Sequence, residues 1–200
     1  MDCTHIPEIS CFYSDTIASH ILNPSAHFEY EMILVTDGSA QVQIHDRTYP
    51  LQCGSLLFIS RLEQHQFCIV KEPYCRYVLS VSSDLLLSHL NEPRLASIFM
   101  QRPEYFSHVV QLNEEQLAYF LPFFQKSADE YEKQPDFYTL QSIALLLSVL
   151  ISLYRLYPNA FPMEDSSSLS AAVLNAQIYV SRHFNRKLTL QEIADQCFLN

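Results

Sequence analysis

The stretch Tyr30-Glu31-Met32-Ile33-Leu34-Val35-Thr36-Asp37-Gly38-Ser39-Ala40-Gln41-Val42-Gln43-Ile44 decides the fold. Two β-prone runs, Tyr30 to Val35 and Val42 to Ile44, flank Asp37-Gly38, which reads as a hairpin. Working outward, Phe12 to Ser83 continues in short β-branched and aromatic runs. Turn chemistry interrupts them at Asn23-Pro24-Ser25, His45-Asp46, Cys53-Gly54-Ser55 and Glu72-Pro73. Strands at such intervals predict a β-sandwich or barrel. Both glycines of the chain, Gly38 and Gly54, fall here, each expected where a strand reverses and φ must be positive. Alternation puts His27, Glu29, Glu31, Ile33 and Val35 on one side of a strand, and His65, Phe67 and Ile69 together on another.

From Ser83 the period becomes helical. Ser83-Asp84 caps a short helix through Leu90, Pro93 opens another through Met100, and Tyr105 to Leu112 reads as a returning strand. Asn113-Glu114-Glu115-Gln116 is a capping box, followed by Leu117, Phe120, Leu121, Phe124 and Tyr131 along one helical face. Pro122 is expected to bend that helix. After Gln134-Pro135 comes a Leu-rich helix, apolar around most of its circumference, that must be covered on several sides. Residues 158–170, with two prolines and a serine run, have linker composition. A new helical start follows at Val173, Ile178, Val180 and Phe184, and Thr189-Leu190-Gln191-Glu192 is a second capping box.

Composition excludes several classes. The 200 residues are 48% apolar and 17% charged, which is globular rather than disordered. Twelve Lys and Arg against 22 Asp and Glu give a formal charge of -10, the wrong sign for a surface built to neutralise phosphates. Met1-Asp2-Cys3-Thr4-His5 lacks the basic-then-apolar pattern of a signal peptide, so a cytoplasmic location is expected. Cys3, Cys11, Cys53, Cys68, Cys75 and Cys197 show no C-x-x-C spacing and read as free thiols. Phe137 to Tyr157 is long enough for a membrane span, but Gln141, Ser142, Ser148 and Ser152 and the lack of flanking basic clusters favour a buried helix and no membrane.

Tyr179-Val180, Phe184 and Leu188-Thr189-Leu190-Gln191-Glu192-Ile193-Ala194 resemble the opening of the DNA-binding domain of AraC/XylS-type transcription regulators. His27-x3-Glu31-x6-Gly38, then Gly54-x5-Ser60 and His65, resemble the two motifs of cupins, the small barrels that also form the sensor domain of such regulators. There are departures: Ser25 stands where metal-binding cupins carry a first histidine, and Ser60 where proline is common. The resemblance implies an α+β fold. An N-terminal cupin (jelly-roll) barrel over 1–112 is followed by an antiparallel dimerisation helix pair over 113–157. A linker over 158–170 and a truncated helix-turn-helix start over 171–200 complete it. Three basic and two acidic residues fall after position 170, leaving nine against twenty before it, an acidic sensor joined to a more basic module. The chain stops before a recognition helix, so DNA binding is expected only of the full-length protein.

If the barrel closes, His27, Glu31 and His65 converge inside it, walled by Ile33, Val35 and Phe67. The expected ligand-binding residues are therefore His27, Glu31, Ile33, His65 and Phe67, for a small-molecule effector such as a sugar or other small polar compound. Two imidazoles and a carboxylate are also a facial-triad ligand set. The expectation is nevertheless a regulator with no cofactor, no metal and no catalytic residue, and a cupin metalloenzyme using the same three side chains is the alternative. A third reading is a dimerisation module whose barrel is filled. Homodimer contact is assigned to Leu140, Ile143, Leu147, Leu150 and Tyr154. Residues before Phe12 are a candidate ligand-covering arm. Arg76 would meet an acidic effector if it pointed inward. His5, His20, His45, His89, His108 and His183 are isolated in sequence and read as surface or locally satisfied residues.

Overall fold

The computed structural model describes residues 8–16, 21–90 and 92–162, then 172, 176, 179–180, 183 and 186–196. The elements are β1 (Ile9–Thr16), β2 (Tyr30–Ile44), β3 (Arg47–Gln52), β4 (Ser55–Ile59), β5 (His65–Val81), α1 (Ser83–His89) and α2 (Pro93–Met100). They continue with β6 (Val109–Gln111), α3 (Glu114–Lys133), α4 (Tyr138–Leu156) and α5 (Leu190–Gln196). The fold is α+β: an antiparallel, cupin-like sheet with helices on one face. Its strand order is β1-β5-β2-β4-β6, with β3 also on β2.

The expected hairpin at Asp37-Gly38 is absent. β2 is one strand of 15 residues, and it reverses instead at His45-Asp46, where Ile44 pairs with Arg47 across a two-residue turn. Asp37-Gly38 forms a bulge against β5, with register shifts between Val35 and Ala40. A bulge inserts an odd residue and flips the alternation. Ile33 and Val35 face the barrel interior before it, and Ala40, Val42 and Ile44 after it. Without the flip Gln41 and Gln43 would point inward. Gly38 has φ 73°, and a Cβ there would lie 2.1 Å from the Pro73 carbonyl oxygen. β5 likewise runs unbroken through Glu72-Pro73, where the sequence suggested a turn. Gly54 does sit in the turn between β3 and β4, with φ 84°.

The sheet has two apolar faces. Inside lie Ile33, Val35, Val42, Ile44, Leu57, Ile59, Ile69, Tyr74 and Val78. Outside, Met32, Leu34, Leu56 and Phe58 pack with Phe99, Phe120, Phe124, Leu146 and Leu150 from the helices. Each such side chain, removed from water, contributes about 1.5–3 kcal/mol. Ser82, one residue earlier than expected, caps α1. Asn113 and Gln116 form the expected capping box of α3, which runs on through Pro122. The returning strand is only the three residues of β6. Part of the expected arm is strand: Ile9 and Cys11 are buried in the helix-side core; residues 1–7 lie outside the described residues.

α4 is long and apolar enough to cross a membrane. Its inner face, however, is Ile143, Leu146, Val149, Leu150 and Leu153, all buried against the protein's own core. Two of the expected dimer contacts are therefore corrected. Ile143 at 4% and Leu150 at 0% exposure are used up within the protomer and cannot meet a second chain. Leu140 is 56% exposed, Leu147 is half-buried, and Tyr154 is half-buried against the Phe161 ring at 5.2 Å.

Beyond residue 162 the Thr189 capping box is present. The Thr189 N–H donates to Glu192 Oε2 at 2.9 Å and the Glu192 N–H to Thr189 Oγ1 at 3.2 Å, opening α5. Most of the helix expected over Val173 to Phe184, and most of the linker, lie outside the described residues.

Candidate effector site

Glu31 and His65 stand at opposite ends of the β2–β5 ladder, Glu31 opposite Ser80 and His65 opposite Ile44. Thirteen residues of straight strand would separate those ends by roughly 43 Å. Yet His27, Glu31 and His65 offer ligand atoms that all lie within 4.8 Å of one another. The bulged ladder curls until its ends meet, and that curl makes the site.

Three local devices fix the side chains. His27 precedes β2 rather than belonging to it, so strand alternation does not place it. Its carbonyl accepts from the Leu62 N–H at 2.7 Å, tying this loop to the β4–β5 connection. Ser25 and His65 exchange backbone hydrogen bonds at 2.9 and 3.0 Å. Glu31 accepts from Ser80 Oγ at 3.0 Å across the ladder.

The histidine tautomers follow from their partners. His27 Nδ1 lies 3.0 Å from the Glu29 carbonyl and His65 Nδ1 2.9 Å from the Glu63 carbonyl. A carbonyl only accepts, so both Nδ1 atoms carry the proton and both Nε2 atoms face the site. His65 Nε2 meets Ser25 Oγ at 2.9 Å, so the residue in place of a metal-cupin histidine is its partner. His27 Nε2 lies 3.2 Å from Glu31 Oε2, close enough for an ion pair, but it is buried without an aligned hydrogen bond. The Glu31 carboxylate raises the His27 pKa above its ordinary value, outweighing burial. For Glu31, burial pushes upward, but His27 and the Ser80 hydroxyl hold it below the usual carboxylate range.

The site thus combines a histidine–carboxylate pair, a hydroxyl-bonded imidazole and an apolar wall. Ile33 is buried beside it, and Phe67 packs edge-on to His65 at 5.8 Å between ring centroids. Such a set accepts and donates hydrogen bonds to a small molecule. Its three donors are also the residues that can hold a divalent cation, Nε2 foremost.

A second histidine–glutamate cluster escaped sequence reasoning. Glu63, only 5% exposed, accepts from the Ser60 N–H at 2.8 Å, from Arg102 Nε at 3.1 Å and from His108 Nε2 at 2.9 Å. His108 Nδ1 meets the Tyr49 hydroxyl at 3.0 Å. Burial would raise the Glu63 pKa, but His108, Arg102 and the Ser60 N–H together pull it down to about 2. His108 is locally satisfied, as expected, but by residues as distant as position 49. No spacing in the sequence announces that cluster.

The family model of the AraC-like ligand binding domain matches residues 7–150, and the chain belongs to that family. Among solved structures, apo ToxT from Vibrio cholerae strain SCE256, a lysine-to-alanine variant, is similar at a TM-score of 0.53 and 8% identity. The match covers 98% of this chain and 72% of that one. Wild-type ToxT of the same strain, bound to an unsaturated fatty acid, matches at 0.53 and 10% identity over 96% and 69%. The AraC-like transcriptional activator CuxR matches at 0.47 and 11% identity over 87% and 58%. At such identities the ToxT likeness is one of fold. A search of curated proteins finds no match.

Proposed function

We propose that this chain is the sensor and dimerisation portion of an AraC-type transcription regulator whose effector is a small organic molecule held by His27, Glu31 and His65. The carrying observation is that a curled ladder brings these three polar side chains to one point beside the apolar cluster of the interior. Buried polar groups are normally paired off, and His27 Nε2 has no aligned partner. Effector binding shifts the balance between arrangements of barrel and helix pair by the difference in affinity for them. A thermal-shift screen of sugars, amino acids, fatty acids and polyamines tests this. A stabilising compound whose effect is lost in His65→Asn and Glu31→Gln supports it, and a compound acting equally on both variants contradicts it.

The dimer contact of this reading is the partly exposed stripe of α4. Leu140, Ala144, Leu147 and Ile151 recur at spacings of four, three and four, the seam of a two-helix coil. Homodimerisation would set which half-sites the DNA-binding domains reach together. DNA recognition itself is assigned to the full-length protein, in which the Thr189 helix would be followed by a recognition helix.

The alternative is a cupin metalloenzyme with His27, Glu31 and His65 as ligands, favoured by their mutual distance of at most 4.8 Å. Stoichiometric iron, zinc or manganese in protein purified without a nickel column selects this reading. Its absence removes the metalloenzyme reading and leaves the organic effector to the thermal-shift screen.

A further inference from the structure

Arg76 lies on β5 opposite Val35, which is buried in the barrel interior, and alternates with Tyr74 and Val78, which are buried there too. Opposed and alternating residues share a face, so this arginine belongs to the inner face. Its guanidinium sits over the Tyr74 ring, 4.7 Å from the centroid. Nη1 donates to Thr16 Oγ1 at 3.0 Å and to the Tyr74 carbonyl at 3.4 Å. Among the described residues it has no carboxylate within ion-pair distance, whereas Arg94, Arg102 and Arg186 each have one. A half-buried guanidinium with only neutral acceptors leaves several of its five donors for a planar anion.

A second observation comes from Tyr74. Its side chain is fully buried in the interior cluster, and its hydroxyl has no hydrogen-bond partner. A buried tyrosine hydroxyl normally finds an acceptor. The surfaces between Arg76 and the His27–Glu31 end are apolar: Val78, Ile33 and, from β1, Phe12 opposite Val78. Four residues of strand, about 13 Å, separate Arg76 from Ser80.

We propose that Arg76 is the anion anchor of the effector site, and that the effector is an organic monocarboxylate with an apolar body running toward His27 and Glu31. This rests on the effector-sensing reading above and names its ligand class. The carboxylate pairs with the guanidinium and brings an acceptor to the Tyr74 side of the barrel. The body covers Val78 and Phe12.

The test is calorimetric titration of the whole chain with butyrate, decanoate, palmitate, benzoate and 4-phenylbutyrate, each beside its primary amide. At least one acid binds saturably, with its amide weaker by about tenfold or more, as expected for a charge-assisted hydrogen bond. Arg76→Gln abolishes that preference, so that acid and amide bind alike, and Arg76→Lys retains part of it. An urea midpoint kept within the wild-type range shows that the variant is folded. Equal binding of acid and amide, unchanged acid binding in Arg76→Gln, or no acid binding at all overturns the proposal. If no acid binds but a sugar or polyamine does, and His65→Asn removes it, the carboxylate assignment fails and the sensing reading stands. If no compound of any class binds, both fail.

Discussion

Glu63 and His65 are two residues apart, and His65 Nδ1 donates to the Glu63 carbonyl, yet their side chains serve clusters of opposite kind. The Glu63 carboxylate, with Arg102, His108 and Tyr49, closes on itself: its acceptors and donors are matched, with Glu63 and His108 buried and Arg102 half-buried. The His27–Glu31–His65 group, with His27 and Glu31 half-buried, carries a misaligned ion pair and a backup hydroxyl. Both contain histidine and glutamate, so residue type does not separate them. Satisfaction does. A closed network is a structural brace, and an open one is where a ligand completes the bonding.

Breaking the brace and the core gives the largest effects. Leu150→Glu puts a carboxylate into the core and should unfold the domain, whereas Leu140→Glu, at a position 56% exposed, should leave it folded and monomeric in sedimentation. A folded, dimeric Leu140→Glu protein contradicts the seam. Glu63→Ala takes the shared acceptor from half-buried Arg102 and from buried His108 Nε2 and should cost about 3 kcal/mol in urea unfolding, the range for breaking a buried pair. A loss under about 1 kcal/mol would mean that the network is ornamental.

The same carboxylate sets an acid limb. Its folded pKa of about 2 lies below the ordinary 4.5, so its stabilisation is present above pH 4.5 and is lost as pH falls through 2. Unfolding free energy measured across that window should drop in the wild type and stay flatter in Glu63→Gln. Gly38→Ala should cost about 1 kcal/mol or more, since it forces a positive φ on alanine and a clash with the Pro73 carbonyl. The smallest effect belongs to the open cluster. The stabilising His27–Glu31 interaction is fully present below pH 6.5 and lost as pH rises through the raised His27 value. Effector affinity should change over that rise, and His27→Asn should flatten it.

The contrast also explains what was readable in the chain. His27, Glu31 and His65 were legible because they fall at motif spacings around two glycines, and the α3 and Thr189 helices because capping boxes are local. The hairpin at Asp37-Gly38 was misread. A dipeptide that permits positive φ serves a bulge as well as a turn, and only the Ile33–Val35 to Ala40–Ile44 parity change separates the two. That change is present in the sequence as a missed beat of alternation. Glu63, Arg102 and His108 carry no such signal, because their meeting depends on where α2 and β6 land on the sheet. Ile143 and Leu150 were assigned outward because α4 is apolar nearly all round, and only packing tells its inner face from its outer one.

The most direct measurement is histidine and methyl NMR of the chain with and without a saturating compound from the screen. The account predicts that the His27 and His65 ring signals and the Ile33 methyl move while the His108 ring stays in place. Movement confined to His108, or no change at His27 and His65, would contradict it.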